Sequence, residues 1–191
     1  FEWTNESRFA RISEVLAGLP KISLEQVQGL QNDILSIPAR RIVTLLAGLS
    51  STDAKTQAAI DLLRNWDFRE PADSVPTALF EVWQSRHLRK AFAEAVLPKA
   101  ASELLPSSDM RVLLSALENP AGHFGTSAVQ RRNDLLLTTL RAAFVEMEKL
   151  QGSDPKVWQW GKLHYNLNEH AFSSIVDESM RAKLDVGPIA K

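Results

Sequence analysis

Cysteine is absent from the 191 residues. That excludes disulfides, cysteine–zinc sites and a cysteine nucleophile within this chain, and leaves the compartment open, because many periplasmic proteins also lack it. Glycine and proline are scarce, at eight and nine residues, below their usual share. Valine plus isoleucine number only 20, against 48 for leucine plus alanine. The scarce pair favours strands and the abundant pair favours helices, so a β-sandwich, a barrel and a Gly-rich nucleotide-binding α/β domain are poor fits. No apolar run approaches the roughly 18 residues of a membrane helix. Charge of one sign is not concentrated anywhere: 22 basic and 23 acidic residues divide almost evenly about residue 95, so neither nucleic acid nor an anionic membrane is an indicated partner. What is present, 45% hydrophobic and 24% charged residues, is the composition of a folded globular chain.

Apolar spacing and capping residues divide the chain into helices. Residues 7–18 put Phe9, Ile12, Val15, Leu16 and Leu19 on one face. Ser23 with Gln26 three residues on is a capping-box pattern, opening a helix with apolar positions Leu24, Val27, Leu30, Ile34 and Leu35. Further helices are expected over 39–49, over 54–65 after the Asp53 cap, and from Ser74 to about Pro98, with short ones at 99–105 and 109–118. Residues 128–150 hold the longest periodic run, with Leu136, Leu140, Phe144 and Met147. The expectation is an all-α irregular bundle of seven to nine helices within one segment, 1–191. It divides into a first helical group (1–65), a polar connector (66–73), middle helices (74–118), a loop (119–127), the long helix (128–150) and a Trp/His-rich irregular tail (151–191), where Ser173 to Val176 are candidates for extended backbone.

The densest chemistry lies at 158–172, which contains Trp158, Trp160, Gly161, His164, Glu169 and His170. A metal site on His164 and His170 is disfavoured, because a spacing of six suits neither a helix nor a strand; tryptophans anchoring the segment and histidines capping loops fit better. His87, among Arg86, Arg89 and Lys90, reads as part of a solvated basic face. His123, between Gly122 and Gly125, reads as a surface turn. Asp61, Asp67 and Glu70 are spaced so that they could face each other across a connector, and helix capping and salt bridges explain them at lower cost. No nucleophile-elbow, phosphate-loop or His-Glu-x-x-His motif occurs.

Four stretches together carry a family resemblance: Arg8 to Leu16, with Arg11 and Glu14; Leu30 to Asp33, followed by Ala39 and Arg40; Leu63 to Trp66 and Asp67, followed by Ala78 to Trp83; and Trp158-x-Trp160-Gly161-x-Leu163-His164 with His170. In order and spacing the chain resembles the penicillin acylase (penicillin amidase) family of N-terminal-nucleophile hydrolases, over the helical middle of that family's β subunit. Asn168 and Ala171 stand where the family often has Phe and Pro. The resemblance implies a larger αββα enzyme, periplasmic or secreted. Its β subunit begins with a Ser whose own amine is the general base, and a backbone N–H and an Asn stabilise the oxyanion.

On this reading the nucleophile and the oxyanion Asn lie outside the chain, which starts at Phe1 as though cut from within a longer protein, and no catalytic residue is expected here. Arg11 is expected to support the active site; Glu14, Trp66, Asp67, Trp158, Trp160, Gly161, His164 and His170 are expected as structural motif residues. No cofactor or metal is expected of this segment, although the resemblance allows a calcium ion whose ligands lie outside it. The implied partners are the rest of the parent enzyme and a small N-acyl substrate, with self-association of the isolated helices as a further possibility. The isolated chain is expected to be inactive. The alternative of a different class is a free-standing helical binding or adaptor module.

Overall fold

A computed structural model of the chain describes residues 6–105 and 107–190; the expected outer bounds at residues 1 and 191 lie outside them. Ten α-helices run along the described residues: α1 Ser7–Ala17, α2 Leu24–Gln31, α3 Ile37–Thr44, α4 Ala54–Arg64, α5 Val75–Val82, α6 Arg89–Val96, α7 Lys99–Leu104, α8 Met110–Glu118, α9 Ala128–Gln151 and α10 Glu178–Leu184. The fold is all-α, with one small antiparallel hairpin of β1 (Tyr165–Asn168) and β2 (Val186–Ala190).

Side chains start these helices by accepting otherwise orphaned N–H groups. Ser23 and Gln26 form the reciprocal capping box of α2. Asp53, Ser74 and Asp109 cap α4, α5 and α8. Pro38 and Pro76 occupy first turns, where the missing N–H has no cost.

Between α5 and α6 the rod continues through one π-helical stretch, Trp83–Leu88. Its wider turn accommodates the five-residue step from Trp83 to Leu88, both fully buried. Trp83 Nε1 donates to Thr139 Oγ1 at 2.9 Å, so the indole enters the core with its polar atom paired. His87 differs from the expected solvated face: its Nε2 lies 2.6 Å from Glu146 Oε2 and Arg86 donates to Glu146 Oε1 at 2.7 Å, tying the π-helical stretch to α9.

The core is built where α4, α5, the π-helical stretch, α8 and α9 meet. It includes Ile60, Leu63, Leu79, Phe80, Leu113, Leu140 and Met147. Trp158 closes one end: it is fully buried, lies edge-on to Phe144 at 5.0 Å, and donates Nε1 to Gly152 O at 2.8 Å. By contrast, α1, α2 and α10 bury no residue fully, and Phe9 and Leu24 are 74% and 69% exposed.

Three local expectations change. α2 ends at Gln31, so Ile34 and Leu35 lie beyond it, and Leu35 bridges antiparallel to Arg69. The 151–191 tail carries α10 and the hairpin. Ser173 to Val176 form turns and a bend rather than extended backbone.

Candidate functional site

The connector at 66–73 is held rigidly by the residues of the Trp-Asp motif. Trp66 packs on Phe68 and Phe80, each at 5.6 Å, and its Nε1 donates to Arg69 O at 2.8 Å. Thr77 Oγ1 donates to the same carbonyl at 3.2 Å. Asp67 Oδ1 accepts the Arg69 N–H at 3.0 Å, an Asx turn, and Phe68 takes φ +63° within it. This turn lays Arg69 and Glu70 against residues 34–36: Ser36 N–H donates to Phe68 O at 2.8 Å, and Glu70 N–H to Ile34 O at 3.0 Å.

An ion-pair knot forms beside this connection. Arg11 Nε donates to Asp33 Oδ2 at 2.6 Å. Asp33 Oδ1 accepts the Leu35 N–H at 3.1 Å and lies 3.6 Å from Arg69 Nη1. Glu14 is taken bidentately by Arg40, at 3.0 and 2.9 Å, and lies 3.6 Å from Arg11. Arg11 is therefore principally the partner of Asp33, whose side chain is only 8% exposed. Burial pushes the Asp33 carboxyl up, but the Arg11 hydrogen bond, the Leu35 N–H and the two guanidinium charges outweigh it and hold the group below its ordinary value. The Arg40 hydrogen bonds likewise lower Glu14.

Asp33 is shared by three clefts. One of about 550 Å³ is lined by Arg11, Glu14, Leu19, Leu30 and Arg69. A second, of about 280 Å³, lies toward Arg8 and Pro38. The third, of about 420 Å³, is lined by Glu70, Glu81, Trp160 and His164. Asp33 belongs to one of the stretches that carry the family resemblance, yet no sequence signal raised it to a candidate. Its clustering with Arg11 and Arg69 exists only once the connector is folded.

The Trp-x-Trp-Gly element forms the wall of the third cleft. Gly161 N–H donates to Ala72 O at 2.6 Å, and a Cβ at this glycine would lie 2.7 Å from Ala190 Cβ and 3.0 Å from Ala72 Cβ; only glycine permits the approach. His164 stacks on Trp160, centroids 4.8 Å apart and planes 9° from parallel. Across from them Glu70 is raised to about 7 by burial and by the charge of Glu81, and burial also raises Glu81. Glu70 therefore faces a second carboxylate in place of the basic partner or helix cap expected for it.

His170 lies apart from these clefts. Its Nδ1 accepts the Phe172 N–H at 3.2 Å, and its own N–H donates to Asp185 Oδ1 at 2.7 Å. Ser173 Oγ donates directly to Asp185, so these three residues staple a loop and lack the Ser–His link of a catalytic triad. His123 borders a separate cleft with Phe124, Arg131 and Asp134. Among the described residues no group of three or more His, Asp or Glu is placed to hold a metal ion, and no helix is long and apolar enough to cross a membrane.

The Arg-x-x-Glu, Trp-Asp and Trp-x-Trp-Gly elements of this helical chain thus line or brace one set of clefts that meet at Asp33. The chain belongs to the penicillin amidase family, whose family model matches residues 1–190. It is similar to the acyl-homoserine lactone acylase QuiP of Pseudomonas syringae pv. tomato, 28% identical over 188 residues, which cover 85% of this chain and 22% of the relative. It is also similar to the protein of the same name from Pseudomonas fluorescens, 28% identical over 123 residues, 58% of this chain and 15% of the relative. The chain thus spans about a fifth of the length of the first of these relatives.

Proposed function

We propose that this chain is the helical part of the β subunit of an N-terminal-nucleophile amidohydrolase that cleaves the amide bond of an N-acyl substrate. The family match along residues 1–190 carries the reading, and the naming of the relatives as acyl-homoserine lactone acylases makes an N-acyl homoserine lactone the preferred substrate class. On this reading the attacking hydroxyl belongs to an N-terminal Ser outside the chain. Its own amine takes the hydroxyl proton as the Ser oxygen bonds the acyl carbon, the C–N bond breaks as that proton passes to the leaving amine, and water then hydrolyses the ester, freeing the acid and restoring the Ser hydroxyl. The helices form part of the wall around the acyl chain. Arg11 acts as a positioning residue: its Nε is fixed on Asp33, its Nη1 lies 3.6 Å from Glu14, and the residue lines the cleft of about 550 Å³.

Two assays test the reading. The 191-residue chain alone shows no hydrolysis of an N-acyl homoserine lactone; turnover abolished by mutating a residue within it refutes the reading. In the longer enzyme, Arg11→Ala lowers kcat by more than its loss of thermal stability accounts for, and Arg11→Lys recovers only part, because a lysine cannot reproduce the fork. An unchanged kcat removes Arg11 from the site.

A further inference from the structure

The cleft beside His123 shares no residue with those around Asp33 and encloses about 590 Å³, the size of a small-molecule site. Its lining comes from the loop between α8 and α9 and from one face of α9. Phe124 is buried and packs on Phe92, ring centroids 5.9 Å apart, and with the half-buried Leu135 it gives the cleft an apolar part. Two opposite charges complete the lining. Arg131 and Asp134 stand three positions apart on α9, a spacing at which opposite charges ordinarily pair. Arg11 with Glu14 and Asp61 with Arg64 do so elsewhere in the chain, at 3.6 and 3.5 Å. Arg131 instead donates Nη1 to Phe124 O at 3.3 Å, and Asp134 Oδ1 accepts from Gln130 Nε2 at 2.7 Å. Both partners are neutral, so among the described residues neither charge has an ion-pair partner. Most of the guanidinium fork and the second carboxylate oxygen remain available. The Thr138 hydroxyl and the His123 ring line the same cleft, and among the described residues neither has a hydrogen-bond partner.

We propose that this cleft binds a free α-amino acid with an apolar side chain, its carboxylate on the Arg131 fork, its ammonium on Asp134 and its side chain against Phe124 and Leu135. The proposal does not rest on the amidohydrolase reading. A lining that holds one free cation, one free anion and an apolar surface matches a ligand with both charges and an apolar body. The guanidinium takes a carboxylate through parallel N–H donors. An α-amino acid carries its two charges on neighbouring carbons, and residues three apart on a helix, with Cβ atoms about 5–6 Å from each other, bracket that spacing. A ligand of one charge serves the site poorly. A plain carboxylic acid meets Asp134 with a like charge, and a plain amine meets Arg131 in the same way, so each is disfavoured by repulsion as well as by the contact it lacks.

The probe is L-leucine, added to the 191-residue chain while the Arg131 Nε–H and Thr138 methyl resonances are followed by NMR. N-acetyl-L-leucine, which keeps only the carboxylate, and L-leucinamide, which keeps only the ammonium, are the comparison ligands at equal ionic strength. The expected result is a saturable shift of both resonances with leucine, half-complete in the millimolar range, and binding about tenfold or more weaker for each analogue, the loss of one charge-assisted hydrogen bond. Arg131→Gln and Asp134→Asn each weaken leucine binding about tenfold or more, whereas the remote Arg64→Gln leaves it unchanged. Both sites are exposed, and thermal unfolding of each variant shows that the fold is retained. In a longer form of the protein, calorimetry shows the same leucine binding and the same loss with Arg131→Gln. Shifts that never saturate, equal responses to leucine and its two analogues, or a response untouched by Arg131→Gln overturn the proposal. Binding seen with the 191-residue chain and lost in the longer form also overturns it, because the cleft is then a surface that another part of the polypeptide covers.

Discussion

Replacing Glu70 by Gln should change how stability depends on pH, and the sign follows from the direction of its shift. An ordinary glutamate titrates at 4.5, whereas Glu70 in the fold sits at about 7. The folded chain therefore keeps this proton to higher pH than the unfolded chain. The favourable contribution is complete below pH 4.5, drains as pH rises from 4.5 to 7, and is gone above 7. At roughly 1.4 kcal/mol per pH unit the loss has a ceiling of about 3 kcal/mol. Glu70 is partly open to solvent, so screening brings the expected figure to about 2 kcal/mol. Gln keeps the shape and cannot ionise. The variant should match the parent at pH 4.5 and exceed it by about 2 kcal/mol at pH 8, a rise of roughly 4–8 °C in Tm for a chain of this size.

The assay is urea and thermal unfolding at pH 5, 6, 7 and 8. Glu81 is shifted in the same direction by burial, so the variant retains a shallower slope of the same sign. Asp33 and Glu146, both held below their ordinary values, act in the opposite sense and at lower pH, which keeps the window clear. Parallel pH profiles for parent and variant, or a Gln variant less stable at pH 8, would refute the argument that Glu70 and Glu81 oppose each other across a buried cleft.

Three other substitutions probe different parts of the fold. Gly161→Ala drives a methyl to 2.7 Å from Ala190 Cβ and should cost about 1–3 kcal/mol, with limited proteolysis showing new cleavage at the hairpin; an unchanged Tm and digest contradict the close packing. Trp158→Ala empties a fully buried site against Phe144 and removes the hydrogen bond to Gly152 O, so denaturant unfolding should show a loss of about 3–5 kcal/mol. Arg41→Ala breaks an exposed bidentate pair with Glu118 and should cost no more than about 1 kcal/mol; a larger loss would mean that surface pairs here carry more than solvent normally allows.

The sequence makes helices legible where caps and apolar spacing agree. The Ser23–Gln26 pair and the run ending in Met147 both announce their elements, and α9 follows that run closely, over Ala128–Gln151. Legibility fails where a contact depends on the chain turning back. Glu70 and Glu81 are eleven positions apart with nothing in the intervening residues to pair them. They meet because Asp67 forms an Asx turn, Phe68 accepts a positive φ and Trp66 fixes the Arg69 carbonyl. Ile34 and Leu35 match the helical period of α2 yet are claimed by bridging to the connector, a tertiary preference that outweighs spacing. β2 contains Gly187 and Pro188, residues that read as loop, and its pairing with β1 supplies the strand character its composition withholds.

The molecule has two regimes of cohesion, and Arg11 sits in the second. Around α5, α8 and α9 the cohesion is apolar and dense, with Leu79, Trp83, Leu140 and Met147 removed from water. α1 and α2 bury nothing fully, and polar links attach them: Arg11 to Asp33, Glu14 to Arg40, and Arg8 to Gln31 O at 2.9 Å. Of these, the Asp33 pair is the most sheltered, so removing Arg11 leaves a nearly buried carboxylate with the Leu35 N–H and the longer Arg69 contact as its remaining partners, and destabilisation accompanies any functional loss. A fall in activity after Arg11→Ala is therefore ambiguous alone. Asp33→Asn resolves it, because that change loosens the same attachment while leaving the guanidinium in place. If Arg11 acts only through the fold, the two variants lose activity in proportion to stability. If it positions groups at the reacting centre, Arg11→Ala loses more kcat at matched stability than Asp33→Asn does.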